Sequence, residues 1–259
     1  MWPKGVVPLL RAALFDLGET LVRMNRPWEE VFRANLENLH RYLVRIGLNS
    51  DFPRFARTFI AVFEDASAVS EFHKIEIPME EILSRVLKKL RFDDQNPELV
   101  HEALAEYFKP EIEAWDAYPD STQTLAAVRD AGLEMALVSN AKSDWAVRAI
   151  VRKCDFESFF RAIFTSAAVR VRKPRSEIFL EGLKAVNAKP AEAVFIGDSL
   201  GPDIIGAKML GMRTIHVLRR PPDLTCATGP DATVGNLAEV LGHIEKWNAI
   251  ETGQWPQRR

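Results

Sequence analysis

Four short stretches hold side chains that could do chemistry together. Asp16-Leu17-Gly18-Glu19-Thr20 follows directly on the apolar run Ala12-Ala13-Leu14-Phe15. Gly197-Asp198-Ser199-Leu200-Gly201-Pro202-Asp203 places two carboxylates around a glycine-containing turn, where they can converge with Asp16 on one hard cation. Val138-Ser139-Asn140 offers a hydroxyl and an amide just before a helix, a place that suits a phosphate or carboxylate. In Arg170-Val171-Arg172-Lys173-Pro174-Arg175, the proline biases Lys173 toward extended backbone, which can aim its ammonium at a fixed point. At least two of the arginines around Lys173 are expected to be solvated. Each stretch alone also has an ordinary explanation: acids in turns, a serine and asparagine capping a helix, a basic run in water.

The elements that carry these stretches decide between the two kinds of explanation. Ala12–Phe15 reads as a buried strand, and further strands are predicted at 133–138, 162–165, 193–197 and 213–218, with a weaker one at 232–234. Helices alternate with them, which is the pattern of a parallel sheet with crossover helices, and strand 12–15 must join that sheet. Every candidate residue then stands at or just beyond a strand's carboxyl end, where ligands bind in open parallel sheets. Between residues 26 and 115 the pattern is helical throughout. One helix from near Pro27 carries Phe32, Leu36, Leu39, Leu43 and Ile46 on one face; a second opens at Asp51-Phe52-Pro53; a third starts at Pro78; a fourth is announced by Asn96-Pro97-Glu98. The helix after Tyr118-Pro119-Asp120 is expected to be capped there and to end at Gly132. The polar end after Lys246, finishing in Gln257-Arg258-Arg259, is expected to be loose.

Composition narrows the function. The 259 residues are 47% hydrophobic and 27% charged, which is ordinary globular usage. Lys and Arg number 34 against 36 Asp and Glu, so nothing points to nucleic acid or a membrane, and a small molecule is the expected partner. Cys154 and Cys226 are far apart, without metal spacing, and fit a reducing cytoplasm. Residues 1–10 form no secretory or membrane-spanning run, so a soluble, unprocessed cytoplasmic protein is expected. His40, His73, His101, His216 and His243 have no ligand spacing and are expected to be filler. Neither Gly-x-Ser-x-Gly nor Gly-x-Gly-x-x-Gly occurs. Trp28 and Arg26 could face a substrate, although packing is the expected role for Trp28. Oligomeric state is not legible.

Taken in order, an Asp, a Ser, a Lys and a paired Asp, each at a strand end, resemble the haloacid dehalogenase-like hydrolase superfamily over nearly the whole chain. Asp16-Leu17-Gly18-Glu19-Thr20 is similar to the family's first motif, Asp-x-Asp-x-Thr; Ser139 corresponds to the second, Lys173 to the third, and Gly197-Asp198 with Asp203 to the fourth. The resemblance implies a doubly wound, Rossmann-like α/β core, 1–24 and 116–259, with an inserted all-helical C1-type cap, 25–115, that closes over the site and selects the substrate. It implies Asp16 as the nucleophile that forms an aspartyl-phosphate. Mg2+ would be held by Asp16, the Gly18 carbonyl and Asp198, with Asp203 as a ligand or close partner. Ser139, Asn140 and Lys173 would hold the phosphate of a small phosphorylated substrate.

One position departs from that pattern. The family's second acid, which protonates the leaving group and then activates water, is here Gly18. Its absence removes help commonly worth about 10² to 10⁴ in rate, and this matters most for poor leaving groups. Glu19 is adjacent, but successive side chains near a strand end point apart. The first reading is therefore a Mg2+-dependent phosphatase, slow or selective for activated phosphates. A catalytically weak member that binds a phosphorylated ligand or a protein partner through its cap is a second. A metal-independent 2-haloacid dehalogenase, which would suit Gly18 but not Asp198, is a third.

Overall fold

Strand β1 (Ala12–Phe15) is four residues without any solvent exposure. The chain then folds tightly, the Leu17 carbonyl accepting from the amides of Thr20, Leu21 and Val22, with Glu19 in the left-handed region at φ 57°. Strand β2 (Val22–Met24) leads out to four helices. In α1 (Trp28–Arg45), Leu36, Leu39 and Leu43 are buried as their spacing predicts, while Phe32 lies at the edge of that stripe. Helix α2 (Phe52–His73) begins at Asp51, whose carboxylate accepts from the Arg54 amide at 2.8 Å. After α3 (Met79–Lys89), helix α4 (Pro97–Ala114) is capped by Asn96 in the same way, at 2.8 Å from the Leu99 amide. Pro110 inside α4 has no N–H for the Glu106 carbonyl, and Asn38 Nδ2 donates to that oxygen instead, at 3.4 Å. These helices enclose a core of their own, built on residues such as Leu39, Phe55, Phe59, Val86 and Leu104. Strand β3 (Trp115–Ala117) returns antiparallel to β2. The computed structural model describes residues 9–92, 96–219 and 229–251.

From there strands and helices alternate: α5 (Ser121–Asp130), β4 (Glu134–Ser139), α6 (Asp144–Lys153), β5 (Ala162–Thr165), α7 (Ser166–Val169), α8 (Ser176–Ala185), β6 (Ala193–Gly197), α9 (Gly206–Met209), β7 (Arg213–Val217), β8 (Ala232–Val234) and α10 (Val240–Glu251). The six long-range strands form one parallel sheet in the order β5-β4-β1-β6-β7-β8. The chain works outward from β1 in both directions, so β1 lies at the switch point of the topology. Alternation along the strands builds two layers. Ala13 and Phe15 share one core with residues of α5, α6 and α10, such as Leu125, Val147 and Ile244. Ala12 and Leu14 share the other with Ile178, Phe179 and Leu183 of α8 and Ala207 of α9. This is a doubly wound α/β core carrying an inserted helical layer.

Several expectations are corrected. The ends of the helical insertion are paired strands, β2 with β3, and residue 115 belongs to the second of them. With three residues each, and with Arg23 opposite Asp116, they are too short and too polar to stand out in the sequence. Asp120 does not cap α5. Its carboxylate instead accepts from Arg219 Nη2 at 3.0 Å and from the Leu237 amide at 2.8 Å. The ordered chain passes Lys246: Trp247 packs on the core beneath the Arg213 guanidinium, and the Asn248 side chain pairs with the Leu10 amide and carbonyl at 2.8 and 3.2 Å. The segment 1–8, Cys226 and Gln257-Arg258-Arg259 lie outside the described residues.

The helical layer is also fastened to the core away from the β2/β3 ribbon. Ile75 bridges Val171, and the Met79 amide donates to the Lys142 carbonyl at 2.8 Å. Between these, the buried Glu76 carboxylate accepts from Ser166 Oγ at 2.6 Å, from Lys142 Nζ at 3.3 Å and from Arg172. A buried carboxylate is tolerated here because each oxygen has a cationic or hydroxyl donor.

Candidate active site

Register sets the geometry. Phe15 is level with Leu137 of β4 and Ile196 of β6, so Asp16 emerges between the carboxyl ends of both neighbours. Asp16, Gly18, Ser139, Asn140, Lys173, Asp198 and Asp203 all line one cavity of about 470 Å³. The fold thus brings these seven residues, scattered over the sequence, to one cavity.

Lys173 is almost completely buried, and its ammonium is shared among three acceptors. It lies 2.6 Å from Asp16 Oδ1, 2.7 Å from Asp203 Oδ1 and 2.9 Å from the Val138 carbonyl. Burial alone would lower its pKa, but the carboxylates of Asp16 and Asp203 outweigh that and raise it, so the group is held as a cation. Thr20 Oγ1 donates to the second Asp16 oxygen at 3.1 Å. The Asn140 side chain accepts from the Lys173 amide at 2.8 Å and donates to the Lys173 carbonyl at 3.1 Å, fixing the backbone ahead of the cis peptide to Pro174. Of the basic run, Arg170 and Arg175 are exposed and paired with Glu81 and Glu177, as expected of solvated arginines.

Asp203 is buried, and burial pushes its carboxyl up to about 6 despite Lys173. It accepts from the Ser199 amide at 3.0 Å and packs against Gly197, where an added Cβ would meet Asp203 Oδ2 at 2.4 Å. Gly197 is glycine because the carboxylate needs that space. His216 is more than filler: its Nε2 lies 2.8 Å from the Asp198 carbonyl; a carbonyl only accepts, so the ring donates and steadies the loop that presents Asp198.

Carboxylate oxygens of Asp16, Asp198 and Asp203 lie within 4.8 Å of one another. Three carboxylates face one ammonium in a largely buried place, an excess of negative charge on hard oxygen donors that fits a divalent cation such as Mg2+.

Comparison with known proteins agrees with this geometry. Residues 10–211 match the sequence profile of the haloacid dehalogenase-like hydrolases. The chain belongs to that family. Among curated relatives of this hydrolase, the glyceraldehyde 3-phosphate phosphatase of Pyrococcus furiosus is 26% identical over 93% of this chain and 96% of its own. That of Methanopyrus kandleri is 28% identical over 82% of this chain and 85% of its own. The phosphoserine phosphatase of Thermus thermophilus is 34% identical over 56% of this chain and 57% of its own. Among solved structures, the 2-haloacid dehalogenase from Pseudomonas syringae pv. Tomato DC3000 shares the fold of this hydrolase with a TM-score of 0.68 at 19% identity, covering 92% of this chain and all of the other. No described helix is long and apolar enough to cross a membrane.

Other residues of this hydrolase at the cavity carry no mark in the sequence. Lys142 and Arg172 line it while paired to Glu76, and Glu111 and Trp115 line it from the helical layer. None has a local spacing that sets it apart; each acts through a contact with a distant stretch of the chain. Trp28 also lines the cavity, besides packing on Phe32, while Arg26 donates to the Pro110 carbonyl at 3.2 Å. Glu19 accepts from the Tyr118 hydroxyl at 3.1 Å, on the side of β3.

Proposed function

We propose that this hydrolase is a Mg2+-dependent phosphatase of small phosphorylated metabolites, with residues 25–115 as a C1-type cap over a core of 1–24 and 116–259. The observation that carries the reading is the placement of Asp16: at the switch point of the sheet, one oxygen on Lys173 and the other on Thr20, beside Asp198 and Asp203. The phosphatase names of its curated relatives support the same substrate class.

The Asp16 carboxylate attacks phosphorus; the new oxygen–phosphorus bond forms as the ester bond breaks, giving an aspartyl-phosphate and an alkoxide that takes its proton from solvent. Water then attacks that phosphorus, releasing inorganic phosphate and the free carboxylate. Asp16, the Gly18 carbonyl, Asp198 and Asp203 would hold Mg2+, which would supply charge neutralisation when bound. Lys173 and Ser139 hold phosphate oxygens, Lys173 giving up one present acceptor to do so. Asn140 keeps Lys173 in place. With Gly18 in the acid position, the departing oxygen receives no proton from residue 18, and good leaving groups are favoured. The acid cluster weighs against the metal-independent dehalogenase reading.

The test is hydrolysis of aryl, acyl and alkyl phosphates with and without Mg2+. Metal-dependent turnover that vanishes in Asp16→Asn supports the reading. Equal background rates for both proteins on every substrate sink it.

A further inference from the structure

The cavity has two unlike walls. The core side presents Asp16, Ser139, Lys173, Asp198 and Asp203, whereas the helical layer contributes mainly aromatic and apolar surface, including Trp28, Phe63, Met79 and Phe108. Among the described residues, Glu111 of α4 is the one carboxyl group that the helical layer brings to this cavity. It is a built position. Asn35, fully buried on α1, donates its Nδ2 to Glu111 Oε2 at 3.2 Å, and the Trp115 indole is near enough to favour the charged carboxylate. Tyr107, one turn before Glu111, lines the cavity too, and its hydroxyl is buried without a hydrogen-bond partner among the described residues.

Trp115 fixes where Glu111 stands relative to the reaction. The far edge of its ring lies 3.4 Å from where a Cβ on Gly18 would be. Glu111 stands near the same side chain, which acts on its carboxyl. The breadth of an indole therefore separates Glu111 from the place where the missing acid would begin. This sets it opposite the organic portion of a substrate rather than at the bridging oxygen.

We propose that Glu111 is the specificity residue of the cap, selecting phosphate esters whose organic portion carries a hydrogen-bond donor, a hydroxyl or an ammonium group, over plain alkyl esters. The proposal rests on the cavity being the phosphate-ester site. A carboxyl surrounded by protein, open only to the cavity, prefers to be neutral; burial raises Glu111 to about 7, against the lowering effect of Asn35 and Trp115. A ligand donor completes the shell of the carboxylate and favours the charged form. A methyl group in the same place leaves the carboxylate desolvated and short of a donor. Hydrogen bonds to charged groups of this kind separate matched ligands by about ten- to a hundredfold.

Binding can be measured without turnover, by calorimetry on Asp16→Asn protein with Mg2+. The probes are ethyl phosphate, 2-hydroxyethyl phosphate and 2-aminoethyl phosphate, with propyl phosphate and glycerol 3-phosphate as the longer pair. At least one donor-bearing ester should bind about tenfold or more tighter than its plain counterpart. That advantage should collapse when Glu111→Leu is added, with Glu111→Ala as the second variant should leucine disturb the cap. Glu111→Gln separates the two donors, since it keeps an acceptor for a hydroxyl but no charge for an ammonium. An advantage that survives both Glu111→Leu and Glu111→Ala overturns the proposal, as does the failure of every donor-bearing ester to bind better than its plain partner. Turnover by the unmodified protein is scored separately: loss of hydrolysis on all phosphates would sink the phosphatase reading, while the binding preferences would still decide the role of Glu111.

Discussion

Lys173 Nζ lies 2.6 Å from Asp16 Oδ1, an ion pair between residues 157 positions apart that is nearly closed to solvent. Deleting the ammonium leaves both Asp16 and Asp203 short of their cation. Lys173→Met is expected to cost about 3–5 kcal/mol of stability without metal, the usual penalty for breaking a buried pair. Added Mg2+ should restore some of it, because a cation bound to the native acids stabilises the fold by mass action. Urea unfolding with Mg2+ and with chelator checks this; a variant as stable as the parent in chelator would refute it.

Gly18 has room for a side chain. A Cβ there meets the Trp115 ring at ordinary contact distance, so Gly18→Asp should fold with a change below about 1 kcal/mol. If the missing acid limits turnover, alkyl phosphate hydrolysis should rise by about 10² while aryl and acyl phosphates change little. Steady-state rates on matched esters decide it; an unchanged alkyl rate would mean that another group already does the proton transfer.

Glu111 makes stability depend on pH in a calculable direction. Its carboxyl stands at about 7 in the folded protein against 4.5 ordinarily, so the folded state holds the proton more tightly than the unfolded chain. The contribution is fully present below about pH 4.5, falls as pH rises, and is lost above about pH 7, a change of about 3 kcal/mol. Glu111→Gln should remove that slope. Denaturation midpoints of both proteins between pH 4.5 and 8 test it, and parallel curves would refute it.

Gly197→Ala should push Asp203 out of position, since the new methyl would come within 2.4 Å of Oδ2 and 2.8 Å of Cβ. A stability loss of about 1–3 kcal/mol is expected from the overpacking. Mg2+ affinity should fall more than tenfold, read by calorimetric titration; a metal affinity equal to the parent's would show that Asp203 takes no role in binding.

How far the sequence discloses this molecule depends on whether a feature is local. Ala12–Phe15 and Ala193–Gly197 are unbroken apolar runs, and strands buried on both faces need such runs, so both are legible along with the acids that follow them. Ser139 and Lys173 are legible for the same reason, each standing beside a strand or a proline. Glu76, Glu111 and His216 are not. Each has a side-chain partner about 20 to 100 positions away, and little in their own neighbourhoods distinguishes them from solvated acids or a core histidine. Asp120 is misleading because a turn acid before a helix looks like a cap, whereas Arg219 and Leu237 claim its oxygens.

The Glu76 fastening has a consequence for traffic into the cavity. Any swing of the helical layer away from the sheet has to pull a single carboxylate off Lys142 and Arg172, and these cations are chain neighbours of Ala141 and Lys173. Two freed positive charges would then face the open mouth while the doorway is wide, and be neutralised again as it shuts. While the helical layer is fastened, the same carboxylate keeps both charges paired at the edge of the cavity.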